Sequence, residues 1–111
     1  MKIELNKPIL SATRVPLKGD GEKDLTIREG LLTELSVYRV TPKATFNLLA
    51  AALKVSDESV AEIELSKKEL ETVKKAIQAN EVQTPKGPQQ IFSSLIQAQL
   101  FVALGLTEED F

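Results

Sequence analysis

The sequence predicts a mainly helical α+β domain, a β-hairpin-like N-terminal arm followed by a three- or four-helix body. Three observations point there. Turn and extended signals crowd into residues 1–25. Two capping-box sequences mark helix starts at Thr26 and Ser66. Apolar residues recur at helical spacing through most of residues 26–105.

The arm comes first. Ile3 and Leu5 alternate with Lys2, Glu4 and Asn6, a period-two pattern that Pro8 interrupts. Gly19-Asp20-Gly21 is the clearest turn, since glycine reaches positive φ without steric cost. It predicts a hairpin with Arg14 to Lys18 as one arm and Lys23 to Thr26 as the other. Pro16, which has no amide hydrogen, places the first arm at an edge.

Thr26-Ile27-Arg28-Glu29 then opens a helix whose apolar face is Leu31, Leu32, Leu35 and Tyr38. Gly30 inside it points to a close packing contact, because glycine costs about 1 kcal/mol there relative to alanine. Thr41-Pro42 starts a second helix, with Thr41 as N-cap and Pro42 where its missing amide does no harm. Phe46, Leu48, Leu49, Ala50, Ala51, Ala52 and Leu53 make that helix apolar around most of its circumference, so it is expected to be the central buried one. In 57–65 the alternation of Ala61, Ile63 and Leu65 with glutamates favours a short extended segment paired with the N-terminal strand. Val60 and Ile63 also suit a helix.

Ser66-Lys67-Lys68-Glu69 opens the next helix, with Leu70, Val73, Ala76 and Ile77 inward, a Glu71–Lys75 pair outward and Asn80 as its stop. Residues 81–87 read as a loop. Pro88 is expected to open a last helix that Gly105 ends. The whole is one domain over 1–111: an arm at 1–25, a helical body at 26–105 and a short acidic tail at 106–111. No internal repeat is read.

Composition narrows the chemistry. The 111 residues include no cysteine and no histidine. Disulfide support and Ser–His or Cys–His nucleophilic catalysis are therefore excluded, and zinc loses its thiolate and imidazole ligands. A formal charge of −2, with both signs mixed, lacks the basic footprint of a nucleic-acid binder. No apolar run is long enough to span a membrane, and the N-terminus is unlike a signal peptide. The expectation is a cytoplasmic protein with no cofactor, no metal and no membrane partner.

The candidate chemical clusters all have plain structural readings. Asp57, Glu58, Glu62 and Glu64 lack the calcium-loop pattern and read as a solvated turn plus an outward strand face. Lys67, Lys68, Lys74 and Lys75 interleave with glutamates as a salt-laced helix face. Gly19-Asp20-Gly21 lacks the spacing of a phosphate loop. The C-terminal helix is different, because Phe92, Ile96, Leu100 and Phe101 exceed what one buried stripe requires. With Gln97 and Gln99 they form the candidate partner or oligomer interface; the other reading turns both glutamines to solvent.

One order of features resembles a loose group of small accessory proteins of tailed bacteriophages and prophages. It begins with Lys7-Pro8-Ile9, then the turn Lys18-Gly19-Asp20-Gly21, then Asp24-Leu25-Thr26-Ile27 running into a leucine-rich helix. Ile63-Glu64-Leu65-Ser66, leading into Glu69-Leu70 and Val73-Lys74-Lys75-Ala76-Ile77, is similar to that group too. The resemblance implies a viral accessory protein with an N-terminal hairpin and a helical body, at work in the host cytoplasm. It carries no catalytic residues.

The leading expectation is thus a non-catalytic protein-binding module that acts through helical surfaces. It would serve assembly or bind and inhibit a host protein. The alternative is a nucleic-acid-associated regulator, with a helix-turn-helix-like pair at 26–54 presenting Lys43 and Asn47.

Overall fold

Ile3 and Leu5 are buried while Lys2, Glu4 and Asn6 face solvent, so the period-two pattern of the first residues is a half-buried strand. The computed structural model describes residues 2–19 and 23–111. In it β1 (Ile3–Glu4) pairs antiparallel with β2 (Glu62–Ile63), Ile3 opposite Ile63 and Glu4 opposite Glu62. The extended reading of 61–65 and its partner are both as expected.

The rest of the arm is more ordered than a single hairpin. Antiparallel bridges join Pro8 to Thr26, Leu10 to Pro16 and Lys18 to Asp24. The residues between them close a ring of amide bonds: Ile9 donates to Leu25 at 2.7 Å, Leu25 to Leu17 at 2.7 Å, and Leu17 to Ile9 at 2.8 Å. Each segment therefore pairs with both others, leaving no edge inside the triangle. Pro8 and Pro16 occupy pairs flanked by hydrogen bonds at the neighbouring residues, where no amide is needed. The predicted hairpin arms do pair, while its turn at Asp20-Gly21 lies outside the described residues. The spacing of eight between Ile9, Leu17 and Leu25 is a small repeat where the sequence reading finds none.

The arm also starts the first helix, α1 (Ile27–Val37). The first amides of a helix lack intrahelical acceptors. Here Ile27 donates to the Lys7 carbonyl and Arg28 to the Leu5 carbonyl, both at 3.0 Å. The Thr26 hydroxyl accepts from the Glu29 amide at 3.3 Å. The reciprocal half of that capping box is not made.

Around α1 stand α2 (Thr45–Ser56), α3 (Lys67–Ala79) and α4 (Ser94–Ala103). The core is aliphatic: Leu5, Ile9, Leu31, Val55, Val73, Ile77 and Leu100 are completely enclosed. Gly30 sits where a Cβ would come within 2.9 Å of a Leu100 methyl and 3.1 Å of an Ile9 methyl, the close contact its sequence position suggests. The capping box of α3 is complete, Ser66 and Glu69 each bonding the other's amide. Asn80 ends α3 at φ 45° and binds both the amide (2.9 Å) and the carbonyl (2.6 Å) of Phe92.

Three expectations are corrected. The second helix is not central: α1 and α3 hold the middle, and α2 buries only Ala51 and Val55 completely. A 3-10 turn, Pro42–Ala44, precedes it, so the α-helix proper starts at Thr45. The last helix does not begin at Pro88, because 81–90 form a hairpin of β3 (Glu81–Thr84) and β4 (Gly87–Gln90) inside the expected helical body. Pro85-Lys86 makes its turn, and Gly87 takes the φ of 108° that a side chain would resist. The acidic tail packs back on the body. Phe111 lies edge-on to Phe101 with centroids 4.7 Å apart, and the Lys74 ammonium is 4.7 Å from the Phe111 ring centre.

Arg28, only 9% exposed, ties these parts together. Its Nε donates to the Val55 carbonyl in the last turn of α2 at 2.9 Å, and Nη1 to the Asn6 side chain at 2.9 Å. Nη2 donates to the carbonyls of Asp57 (3.2 Å) and Val60. Its positive charge also suits the negative end of the α2 dipole. Arg28→Ala is expected to lower unfolding stability by about 3 kcal/mol in urea titrations, given the cost of leaving several acceptors without a charged donor. Arg28→Lys should recover less than half, since a single ammonium lacks the planar fork.

Candidate protein-interaction surface

The candidate residues of the C-terminal helix turn mostly inward. Leu100 is completely buried against Gly30, while Phe92, Ile96 and Phe101 are half-buried on the core. Gln97 donates to the Ile77 carbonyl at 2.9 Å. Gln99 accepts from the Leu10 amide at 2.8 Å and donates to the Leu10 carbonyl at 2.7 Å, so its amide completes the edge of the arm. Both glutamines are half-buried, with their side-chain amides bonded to backbone groups of the same chain.

What α4 does expose is Leu95 (46%), Ala98 and Val102 (71%), at i, i+3 and i+7. They form one wall of an open groove of about 420 Å³, whose other side carries Lys2, Glu4 and Lys7. Lys7 and Glu4 pair across the rim at 3.1 Å.

The second helix exposes a stronger stripe. Phe46, Leu49 and Leu53 are 76%, 58% and 62% exposed and lie on one face at i, i+3 and i+7, with half-buried Ala50 among them. Ala51 and Val55, on the opposite face, hold the helix to the body. So α2 is apolar on two sides, which explains why its sequence reads as a central helix. Its position is fixed by polar ties: Lys54 bonds the Glu69 carboxylate at 2.7 Å and the Glu64 carbonyl at 3.0 Å. The bond from Lys54, then that from the Ser66 amide, holds the Glu69 carboxyl below its ordinary pKa.

This geometry departs from a helix-turn-helix. Residues 38–44 separate α1 from α2, Lys43 lies in the 3-10 turn, Asn47 is half-buried, and the outward face is hydrocarbon. A groove-reading helix would instead present polar side chains to base edges.

The acidic cluster has local uses. Asp57 accepts from the Ser59 side chain and amide, and these bonds, with Arg28 nearby, hold its carboxyl below the usual range. Glu62 stands 4.0 Å from Lys2. Among the described residues no group of three or more potential ligands is placed to hold a metal, and no helix is long and apolar enough to cross a membrane. No family model, curated protein or solved structure matches the chain.

One buried group escapes the sequence reading. Glu34 is 1% exposed, and neither carboxylate oxygen has a hydrogen-bond partner among the described residues. Burial raises its pKa from 4.5 to about 7. The folded protein therefore holds a proton that the unfolded chain releases between these values. Stability is greatest below the unfolded pKa and falls as pH rises toward the folded one, by about 3 kcal/mol in all. Glu34→Met is expected to remove this slope. In urea titrations the variant should gain about 3 kcal/mol over the parent at about pH 8 and much less at about pH 4.

Proposed function

We propose that this chain is a non-catalytic protein-binding module, an accessory protein of a tailed bacteriophage or prophage. It acts in the host cytoplasm, in assembly or by binding and inhibiting a host protein. One observation carries the reading: α2 and α4 each expose an apolar stripe at i, i+3 and i+7 on the face away from the core. Such stripes gain free energy by leaving water, at about 25 cal/mol per Å² of apolar surface. They are also the pattern by which helices recognise protein grooves and other helices. The phage origin rests on the resemblance of the turn and capping segments described above.

The test is affinity capture from bacterial lysate, with the protein immobilised at one end. Leu95→Asp/Val102→Asp and Phe46→Asp/Leu53→Asp change exposed positions and should cost less than about 1 kcal/mol of stability. The parent is expected to retain a specific protein that at least one double variant loses. Identical capture by the parent and both folded variants would contradict the reading.

A further inference from the structure

The outward stripe of α2 has an internal symmetry. Its members stand at 46, 49, 50 and 53, so reversing the helix about the point between Leu49 and Ala50 exchanges Phe46 with Leu53 and Leu49 with Ala50. A two-fold axis placed there would set each large side chain against a complementary position of an identical helix. Isologous interfaces require this self-complementarity. Ala50, the smallest member, lies beside the axis, where two helices approach most closely.

The charges at the two ends agree with the same arrangement. Lys43 is exposed just before α2, and Asp57 and Glu58 are exposed just after it. Antiparallel pairing places Lys43 of one copy beside Asp57 of the other. It also sets the positive end of each helix dipole against the negative end of its neighbour. A parallel pair would oppose like charges at both ends.

We infer that the occupant of this stripe is a second copy of the chain, docked through an antiparallel α2–α2 contact centred between Leu49 and Ala50. The inference rests on the proposed binding role and names the partner for one of the two stripes. The apolar face of α4 remains on the outside of the dimer for a different protein.

The chain contains no cysteine, so single introduced thiols report the register directly. Disulfides need Cα atoms roughly 4–7 Å apart. In the antiparallel pair the two copies of position 49 face each other across the axis, whereas the two copies of position 46 are offset by about 10 Å along the helices. Leu49→Cys should cross-link to a covalent dimer under mild oxidation. Phe46→Cys alone should not, and a mixture of Phe46→Cys with Leu53→Cys should. By light scattering the parent should have twice the chain mass, falling on dilution. Leu49→Asp should be a monomer with unchanged circular dichroism, and Lys43→Glu should weaken the dimer in a way that Asp57→Lys on the same chain restores. A parent monomeric at all concentrations overturns the inference, as does efficient cross-linking at position 46 without cross-linking at 49. If that monomer still captures a lysate protein that Phe46→Asp/Leu53→Asp loses, the binding role stands and only the dimer falls.

Discussion

A buried guanidinium organises the molecule. Arg28 enters α1 one residue after its start, and its side chain collects acceptors from the last turn of α2, from the loop that follows it and from Asn6. Burying a cation is expensive unless its donors are used. Arg28 uses Nε and both terminal nitrogens on partners fixed by three separate segments. The backbone repeats the tie, since the Ile27 and Arg28 amides bond carbonyls of the N-terminal segment. Arm, first helix and second helix therefore meet at one point. This matters most for α2, whose completely buried side chains are only Ala51 and Val55. Polar ties at Arg28 and Lys54 add to the core contacts of Ala51, Val55 and the half-buried Leu48 and Ala52.

Much of the fold is legible in the sequence, and the legible parts are local. Ser66 and Glu69 announce a helix start through a bond that spans one turn, and Asn80 announces its end through a conformation that few other side chains accept. Ile3 and Leu5 give a strand by their alternation. The illegible parts depend on which of two apolar faces a helix buries. Leu95 and Val102 have the same spacing as inward residues of α4, and Phe46 and Leu53 the same spacing as core residues of α2; periodicity cannot rank them. Gln99 looks outward by composition, yet its amide supplies both a donor and an acceptor to Leu10. That contact joins residues far apart in sequence, so no local signal marks it. The hairpin at 81–90 is hidden because Gly87-Pro88 has the look of a helix start, while its true role is to follow the Pro85-Lys86 turn.

Glu34 is legible in principle. Its angular position on α1 lies between Ile27 and Gly30, inside the buried arc that runs from Gly30 through Ile27 and Leu31 to Leu35. Leaving its carboxyl enclosed lowers stability at neutral pH, in contrast to Glu69, whose carboxyl is held by Lys54 and the Ser66 amide. The two glutamates show the same side chain used against stability and for it, according to whether donors surround it.

The outward faces of α2 and α4 are the surfaces on which the proposed function rests. Both helices are anchored from one side, so their remaining apolar surface is not needed by the core. We propose that this surplus forms contacts between molecules, beginning with α2. The most direct measurement is the solvent accessibility of individual leucine methyls by NMR with a soluble paramagnetic probe, over a range of protein concentrations. Leu49 and Leu53 are predicted to be shielded in concentrated solution and to become accessible on dilution, while Leu31 and Leu100 stay shielded throughout. Free access of the probe to Leu49 and Leu53 at every concentration would contradict the account.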